Sequence, residues 1–300
     1  MTGLWALVKR NTKLYFKDKG MFFTSLITPA VLLVLYSTFL GNVFESSFRS
    51  ALEAAGAMVS DKVIMGCVGG QLVSSLLAVS CVTVAFCTNL LMVQDKITGA
   101  RHDLTIAPLK VGTLALSYYL STLLSTLLIS FAATGICLGY LAVVGWFLTV
   151  GDVAALLLDV VLLVLFGTAL SSCVNYPLST NGQASAVGTV VSAGYGFICG
   201  AYMPISNFGS GLQKALSYLP GTYGTSLIKN HMLRGIFEEM ESEKLPEELI
   251  TAIRETLDCN PQFRGNVVNT TQMVFIMAGS IVVFGAIFLF MTRLPEKENR

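Results

Sequence analysis

Four long stretches of this 300-residue chain contain no Asp, Glu, Lys or Arg. They cover 20–44, 63–94, 111–151 and 265–292. A helix needs about 20 mostly apolar residues to cross the hydrocarbon layer of a membrane, because that layer is about 30 Å thick and each residue adds about 1.5 Å. Each stretch is long enough to cross once, so the sequence predicts a membrane protein.

A fifth uncharged region, between Asp159 and Lys214, is long enough for two spans divided by the turn-forming run 175–182. We therefore predict an all-α membrane protein with six transmembrane helices, at about 21–40, 63–93, 113–144, 153–174, 183–202 and 272–292. Composition agrees, because 54% of the residues are hydrophobic and only 12% are charged. Soluble proteins have about a quarter of their residues charged.

The distribution of Lys and Arg predicts the orientation, since short cytoplasmic loops carry an excess of these residues. With the N-terminus inside, the short outer loops hold only Arg49 and Lys62. The long outer segment at about 206–271 carries little weight in this rule. Both termini are predicted to be cytoplasmic, and the expected location is the plasma membrane of a bacterial cell.

The first twenty residues predict an amphipathic helix that lies at the membrane surface, with Trp5 as an anchor. A cleavable signal peptide is disfavoured, because the apolar run after Gly20 is long and no A-x-A site follows it. We expect two parts: an interface helix at 1–20 and a single transmembrane domain at 21–300, whose outer insertion covers about 206–271. The basic residues of the interface helix are Lys9, Arg10, Lys13 and Lys17.

Polar residues within the predicted spans are candidates for a transport route. The second span contains Gln71, Ser75 and Asn89, and polar groups in lipid need partners. This helix is therefore expected to face protein or a water-accessible route, with hydrogen bonding between helices as the open alternative. Asp159 is the one ionisable residue inside a predicted span. It is a functional candidate, and a bond to a neighbouring Ser, Thr or Tyr is the structural alternative.

Several catalytic motifs are absent from the sequence. No G-x-x-x-x-G-K-[ST] phosphate loop occurs, so the chain cannot hydrolyse ATP by that route alone. HExxH, G-x-S-x-G, CxxC and Cys/His clusters are also absent, which argues against a protease or metalloenzyme and predicts no metal site. A net charge of +1 does not indicate a nucleic-acid partner, and none is expected.

Two segments outside the spans have distinct patterns. The loop at 94–112 can form a short charged helix from about Asp95 to Ile106 that docks a soluble protein, and Pro108 would end it. A plain loop that only fixes topology is the alternative. The segment 212–234 is apolar but interrupted at 219–221 and at Gly224, which suits a re-entrant hairpin. It is followed by an acidic amphipathic helix opened by Pro246, which is most simply a solvated surface; a cation or substrate vestibule is the alternative.

Here the chain resembles the ABC-2-type permease family, the membrane subunits of ATP-driven exporters. Gly99, Leu104 and the pair Ala107-Pro108 match the loop in which that family has a short coupling helix against its ATPase. His102 and Asp103 depart from it, since an acidic and then a basic residue are common there. The residues that resemble the outer re-entrant segment of the family are Gly200 to Pro204, Leu219-Pro220, Tyr223 and Leu233-Arg234.

The resemblance implies a transporter of two permease subunits, identical or homologous, and two ATP-binding cassette ATPase subunits. ATP and Mg would bind to the ATPase, and this chain would hold no cofactor. Membrane lipid is the remaining partner. The implied coupling residues are Asp95, Lys96, Gly99, Arg101, His102, Asp103, Leu104 and Pro108. The implied outer gate comprises Pro204, Pro220, Tyr223 and Arg234.

The function implied by the resemblance is efflux by alternating access, driven by ATP hydrolysis on the partner chain. Apolar spans favour a lipidic, drug-like or peptide cargo. An ion-coupled secondary transporter or channel that needs no ATPase is the competing class, but an ion relay generally needs more intramembrane carboxylates than Asp159 alone. A membrane-bound structural or immunity protein is a third class.

Overall fold

The computed structural model describes residues 2–54, 59–106 and 110–293, and these residues are helical except for short connections and one two-stranded hairpin. The helices are α1 (Thr2–Lys17), α2 (Lys19–Leu35), α3 (Gly41–Ala54), α4 (Asp61–Ile97), α5 (Ala100–Ile106), α6 (Val111–Val144), α7 (Val150–Asn175), α8 (Asn181–Ile198), α9 (Ser210–Leu216), α10 (Pro220–Ser242), α11 (Glu247–Thr256) and α12 (Thr270–Met291). A π-helical turn, Tyr36–Leu40, joins α2 to α3, and a 3₁₀ turn, Ile205–Asn207, precedes α9. The antiparallel strands β1 (Gln262–Phe263) and β2 (Asn266–Val267) precede α12.

Five segments of the described chain are long and apolar enough to cross a membrane. One runs continuously through α2, the π-helical turn and most of α3, and the others are α4, α6, α7 and α12. They correspond to five of the six predicted spans. α8 lies where the remaining span was predicted but is not among these five. Its polar and small residues, including Asn181 and Gln183, lower its hydropathy.

α4 is the central helix of the bundle and is buried along most of its length. It packs against α2, α6, α7, α8 and α10. Its approach to α7 is close because Gly167 has no side chain: a Cβ there would lie 3.1 Å from Val82 Cα and 3.2 Å from Ala85 Cβ. A small residue at such a point lets two membrane helices approach closely. The core of the protein therefore forms around α4.

Two connections differ from what the sequence predicted. The outer loop expected after residue 40 is instead α3, whose Leu52 is buried against Val63 and Ile64 of α4. The short helix expected from about Asp95 to Ile106 is divided, because α4 continues to Ile97 and α5 begins only at Ala100. Gly99 makes this turn at a φ of 80°, a conformation that glycine adopts readily. Asp95 and Lys96 therefore belong to α4.

The segment between α8 and α12 enters the bundle. α10 is one unbroken helix, so Gly224 is not a break: its missing Cβ leaves room for the side chain of Leu163 on α7. Gly235, eleven residues later, lies against the backbone of Phe147 in the turn before α7. Eleven helical residues span about 16 Å. α10 therefore reaches well into the bundle beside α7, while α11 and the hairpin stay at its end.

Candidate coupling and transport sites

A buried carboxylate joins three helices at the end of the bundle where α1 and α5 lie, called the α5 end. Asp95 of α4 accepts a hydrogen bond from Arg10 Nη1 of α1 at 2.7 Å and one from Tyr118 Oη of α6 at 2.6 Å. Only 5% of Asp95 is exposed. The hydrogen bond with Asp95 raises the pKa of Arg10 above its usual value. Charged hydrogen bonds of this kind are the strong ones, so α1, α4 and α6 are firmly connected here.

The four basic residues predicted for α1 do not share one environment. Lys9, Lys13 and Lys17 are exposed, as a surface-lying helix requires. Arg10 is instead partly buried and turns inward to Asp95. The local sequence pattern could not distinguish Arg10 from the neighbouring basic residues, because its partner Asp95 is 85 positions away in the sequence.

α5 is attached to the bundle by one face. Arg101 is almost buried, and its guanidinium lies 5.6 Å from the ring centroid of Tyr176, just after α7. The side chain of Lys96 binds the carbonyl oxygen of Tyr176 and lies 3.3 Å from that of Leu178. Leu104 packs against a cluster at the α5 end made of Leu7, Met92, Leu114, Ala115, Tyr118, Tyr176 and Phe288.

The other face of α5 is exposed. His102 and Asp103 lie on it, and Ile106 is 73% exposed. This face therefore offers a histidine, a carboxylate and an apolar side chain to a partner. Two residues of the predicted docking segment, Ala107 and Pro108, lie outside the described residues. α5 thus presents an exposed face, while Leu104 on its other face packs against a cluster drawn from α1, α4, α6, α12 and Tyr176 just after α7.

A groove with a volume of about 1340 Å³ runs along the bundle between α2, α3, α4 and α8. It reaches from Gln94, Ile97 and Asn181 near the α5 end to Met203, Pro204 and Leu257 at the opposite end. None of the described residues that line it is Asp, Glu, Lys, Arg or His. The groove is open along one side, so a substrate or a second chain has access to it.

The polar residues predicted for the route do not line this groove. Gln71, Ser75, Asn89 and Asp159 are all at least 96% buried inside the bundle. The Asn89 amide donates to Thr122 Oγ1 at 3.3 Å and to Ser172 Oγ at 3.1 Å. In this structure α4 therefore turns its polar face to neighbouring helices, the alternative that the sequence left open.

Two of these residues have further features. The hydroxyl of Ser75 accepts a hydrogen bond from Tyr36 Oη at 3.1 Å, and Tyr36 belongs to the π-helical turn beside the groove. The side-chain amide of Gln71 has no hydrogen-bonding partner among the described residues. Buried polar groups without a partner are rare in native structures. Through its hydrogen bond with Tyr36, Ser75 supports the wall of the groove, although it does not line it.

At the opposite end of the groove, a fully buried lysine holds the chain that follows α8. Lys229 of α10 is 0% exposed, and its Nζ donates to the carbonyl oxygen of Gly200 at 2.9 Å. Asp258 Oδ2 lies 3.9 Å from the same nitrogen and accepts from the backbone N–H of Ile205 at 2.6 Å. Burial raises the pKa of Asp258, while Lys229 and the two backbone donors, Ile205 and Ser206, lower it. The segment 200–206 is thus fixed from both sides.

The predicted gate residues occupy different places. Pro204 is buried and lines the end of the groove. Pro220 begins α10, and Tyr223 Oη donates to the Ser217 carbonyl at 2.6 Å, so both shape the turn between α9 and α10. Arg234 is exposed and pairs with Glu238 at 2.9 Å. Lys229 and Asp258 were missed, although a lysine within the apolar run 212–234 was a signal that a buried acidic partner was needed.

α10 is also tied to α7 by an acid and a histidine. His231 Nδ1 lies 2.5 Å from Asp159 Oδ2, so the partner of Asp159 is not the Ser, Thr or Tyr considered from the sequence. Arg234 Nη1 lies 3.6 Å from Asp152 Oδ1. The hydrogen bond with Asp159 raises the pKa of His231 above its usual 6.5, and the charge of Asp152 acts in the same direction while that of Arg234 opposes it.

We expect a pH-dependent stability from this histidine. Its pKa is raised in the folded state, so the stabilisation is complete below about pH 6.5 and is lost as the pH rises through the raised pKa. His231→Gln should remove this dependence from the thermal unfolding midpoint above pH 6.5. His102→Gln, which changes the exposed histidine of α5, is the matched control and should retain it. An unchanged pH profile in His231→Gln would contradict the assignment.

The fold and these features define a multi-pass α-helical membrane protein of the transporter class. The family model described as "ABC-2 family transporter protein" matches residues 62–292, which is most of the chain. The chain therefore belongs to the ABC-2 transporter family, and the resemblance seen in its sequence is confirmed. It is a permease, a membrane transport subunit of a kind that generally has no ATPase of its own and associates with ATP-binding cassette partners. No curated protein matches the chain.

Proposed function

We propose that this permease exports a substrate by alternating access, driven by ATP hydrolysis on two separate ATP-binding cassette subunits. The observation that carries the proposal is α5, whose exposed face carries His102, Asp103 and Ile106 and whose other face packs against a cluster drawn from α1, α4, α6, α12 and Tyr176 just after α7. In this proposal the α5 end is cytoplasmic, and so are both termini. The location is the plasma membrane of a bacterium, and ATP and Mg bind on the partner subunits.

Movement of the ATPase would enter the permease through α5. Arg101 and Leu104 connect α5 to Tyr176 at the end of α7, and Lys96 connects α4 to the same point. α1 is linked to α4 through Arg10 and Asp95. Helices that are packed against one another can move together as rigid bodies. A shift of α5 would therefore displace α1, α4 and α7 together and change the groove beside α4.

The groove is the proposed substrate route. It is lined by residues of α2, α3, α4 and α8. A second permease, identical or homologous, would close its open side. The inserted helix α10 is the proposed re-entrant element, and the segment 200–206 is the proposed outer gate.

Two substitutions in the α5 region test the coupling. Gly99→Pro is incompatible with the positive φ at this turn, and Asp103→Lys reverses an exposed charge on the docking face. Both should abolish substrate-stimulated ATP hydrolysis in the complex with the native ATPase, while the permease remains folded. Hydrolysis and transport are measured in proteoliposomes, and folding by thermal unfolding of the purified complex.

Each variant has a matched control. Gly99→Asn keeps the turn, because asparagine tolerates positive φ better than most residues. Glu248→Lys reverses an exposed charge on α11, at the end far from α5. Both controls should behave as the native protein. Unchanged stimulated hydrolysis in Gly99→Pro and Asp103→Lys would remove the coupling role, and transport that follows an ion gradient without ATP would favour the secondary transporter.

A further inference from the structure

The two long walls of the groove differ in chemistry. One wall is mostly hydrocarbon and comes from α2, α3 and the turn between them. Its polar member is Thr24, and its apolar residues are Ile27, Val31, Leu32, Leu35, Leu40, Val43, Phe44 and Phe48. The other is a single face of α8 built from small residues. Ala184, Gly188 and Ala193 provide its space, and a Cβ at Gly188 would meet no atom within 4 Å. The groove is therefore apolar along the wall from α2 and α3, and the small residues of the α8 wall leave space for a ligand.

Polar groups follow one another along the α8 wall. Asn181, Ser185, Thr189 and Ser192, called the α8 polar edge, are spaced at 4, 4 and 3 residues and all line the groove. Such spacing places side chains in one row on a helix. The row extends over about 16 Å. It is long enough to contact an extended molecule at several points.

The α8 polar edge has unused hydrogen-bonding capacity. Thr189 Oγ1 donates to the Ser185 carbonyl of its own helix at 2.9 Å. Within the described part of the chain, the side chains of Asn181, Ser185 and Ser192 have no hydrogen-bonding partner. Asn181, Ser185 and Thr189 are exposed in this structure, and covering their polar groups with a ligand is costly unless the ligand bonds to them. A ligand that brings hydroxyl or amide groups to this edge would satisfy them.

The absence of charge along the described lining restricts the ligand further. An ion buried against this surface would find no partner of opposite charge, and burial of an unpaired charge is strongly unfavourable. Inorganic ions and highly charged polymers therefore do not suit the groove. A molecule with only apolar groups would leave the α8 polar edge unbonded.

We propose that the α8 polar edge selects an elongated, uncharged amphipathic substrate, with hydrocarbon along one edge and hydroxyl or amide groups along the other. The inference rests on the proposed function and specifies the substrate class of its route. The hydrocarbon edge of the substrate lies against α2 and α3, and its polar edge lies against α8. Ser185, Thr189 and Ser192 determine the preference.

The test uses the permease purified with its native partners in lipid nanodiscs. The uncharged probe is N-dodecanoyl-N-methylglucamine, which joins an acyl chain to an amide and a row of hydroxyls. The charged probe is dodecyltrimethylammonium, which has a chain of similar length. Binding of each probe and its stimulation of ATP hydrolysis are measured below the micelle concentration. The glucamine derivative should bind about tenfold or more tightly than the cation, because three or more hydrogen bonds of about two- to tenfold each are available.

Two variants separate the substrate class from the route. The triple variant Ser185→Ala, Thr189→Val, Ser192→Ala removes hydroxyls with little change in volume and should weaken glucamine binding about tenfold or more. Thr271→Val, which removes an exposed hydroxyl outside the groove, should not. Gly188→Leu fills the groove and should block both probes and the native transport, whereas Val190→Leu, on the exposed side of α8, should not.

The outcomes are distinct. Equal binding of both probes, or an unaffected triple variant, would overturn the substrate class while the route stands if Gly188→Leu still blocks transport. Unaffected transport in Gly188→Leu would show that the groove is not the route and would overturn that part of the proposed function. Loss of glucamine binding in both the triple variant and Gly188→Leu, with native controls, is the result we expect.

Discussion

Lys229→Met is expected to lower the free energy of unfolding by about 3–5 kcal/mol, the usual effect of removing one member of a buried charged pair. Lys229 is fully buried, so its ammonium group has been transferred out of water and depends on the Gly200 carbonyl and Asp258. Methionine fills much of the same volume but leaves Asp258 with only backbone donors. The measurement is thermal and denaturant unfolding of the purified complex.

The double variant Lys229→Met, Asp258→Asn distinguishes a charge effect from a packing effect. Without Lys229 the unpaired carboxylate is the main penalty, so neutralising Asp258 should restore much of the lost stability. Lys214→Met, on the exposed surface of α9, is the matched control and should have little effect. Equal stability of the single and double variants would show that lost packing, rather than an unpaired charge, explains the result.

The same variant has an expected pH dependence. Burial already raises the pKa of Asp258, and removal of Lys229 takes away one of the influences that lower it. A carboxyl group with a raised folded-state pKa destabilises the fold only at pH values at which it is ionised. The stability deficit of Lys229→Met should therefore shrink as the pH falls through that raised pKa. A deficit that is constant with pH would contradict this account.

The membrane-crossing helices could be predicted from the sequence because the thickness of the membrane sets the minimum length of an apolar helix that crosses it. An uncharged stretch long enough to cross the membrane is compatible with few structures other than a spanning helix. Five of the predicted spans correspond to such helices. α8 is the exception, since Asn181, Gln183 and the polar edge give it a lower hydropathy. The residues that lower its hydropathy include those that line the groove. The predicted span with the lowest hydropathy is therefore the one that supplies a row of polar residues to the groove.

The partners of polar residues could not be predicted in the same way. The sequence shows that Asn89 needs a partner in lipid, but not whether this is a helix, water or substrate; Thr122 and Ser172 fill the role. Likewise, the pairing of Asp159 with His231 joins residues 72 positions apart. Such contacts depend on which helices become neighbours. Hydropathy and helical period do not specify which helices become neighbours. The position of the proposed coupling segment was therefore easier to predict than the residues that it contacts.

Asp95→Asn is expected to reduce the substrate transported per ATP hydrolysed by about tenfold or more. Asparagine has the same shape but loses the charge that binds Arg10, and hydrogen bonds to charged groups contribute about 1.5–3 kcal/mol. The loss would let α1 separate from α4, so that movement at α5 no longer reaches both helices. ATP hydrolysis itself should continue, because in the proposed function its active site lies on the partner subunit.

The connected residues provide the controls for Asp95→Asn. Tyr118→Phe removes a hydrogen-bond donor to Asp95 and should have a smaller effect. Asp18→Asn changes the exposed residue that caps α2, and it should have no effect because asparagine also caps helices. Arg10→Gln should resemble Asp95→Asn, and the double variant should be no worse than either, since both remove one interaction. If the two effects add, or if Asp95→Asn transports with native stoichiometry, Arg10 and Asp95 do not transmit the movement. Transport would then depend on α4 and the Tyr176 contacts of α5, and α1 would serve only as a surface anchor.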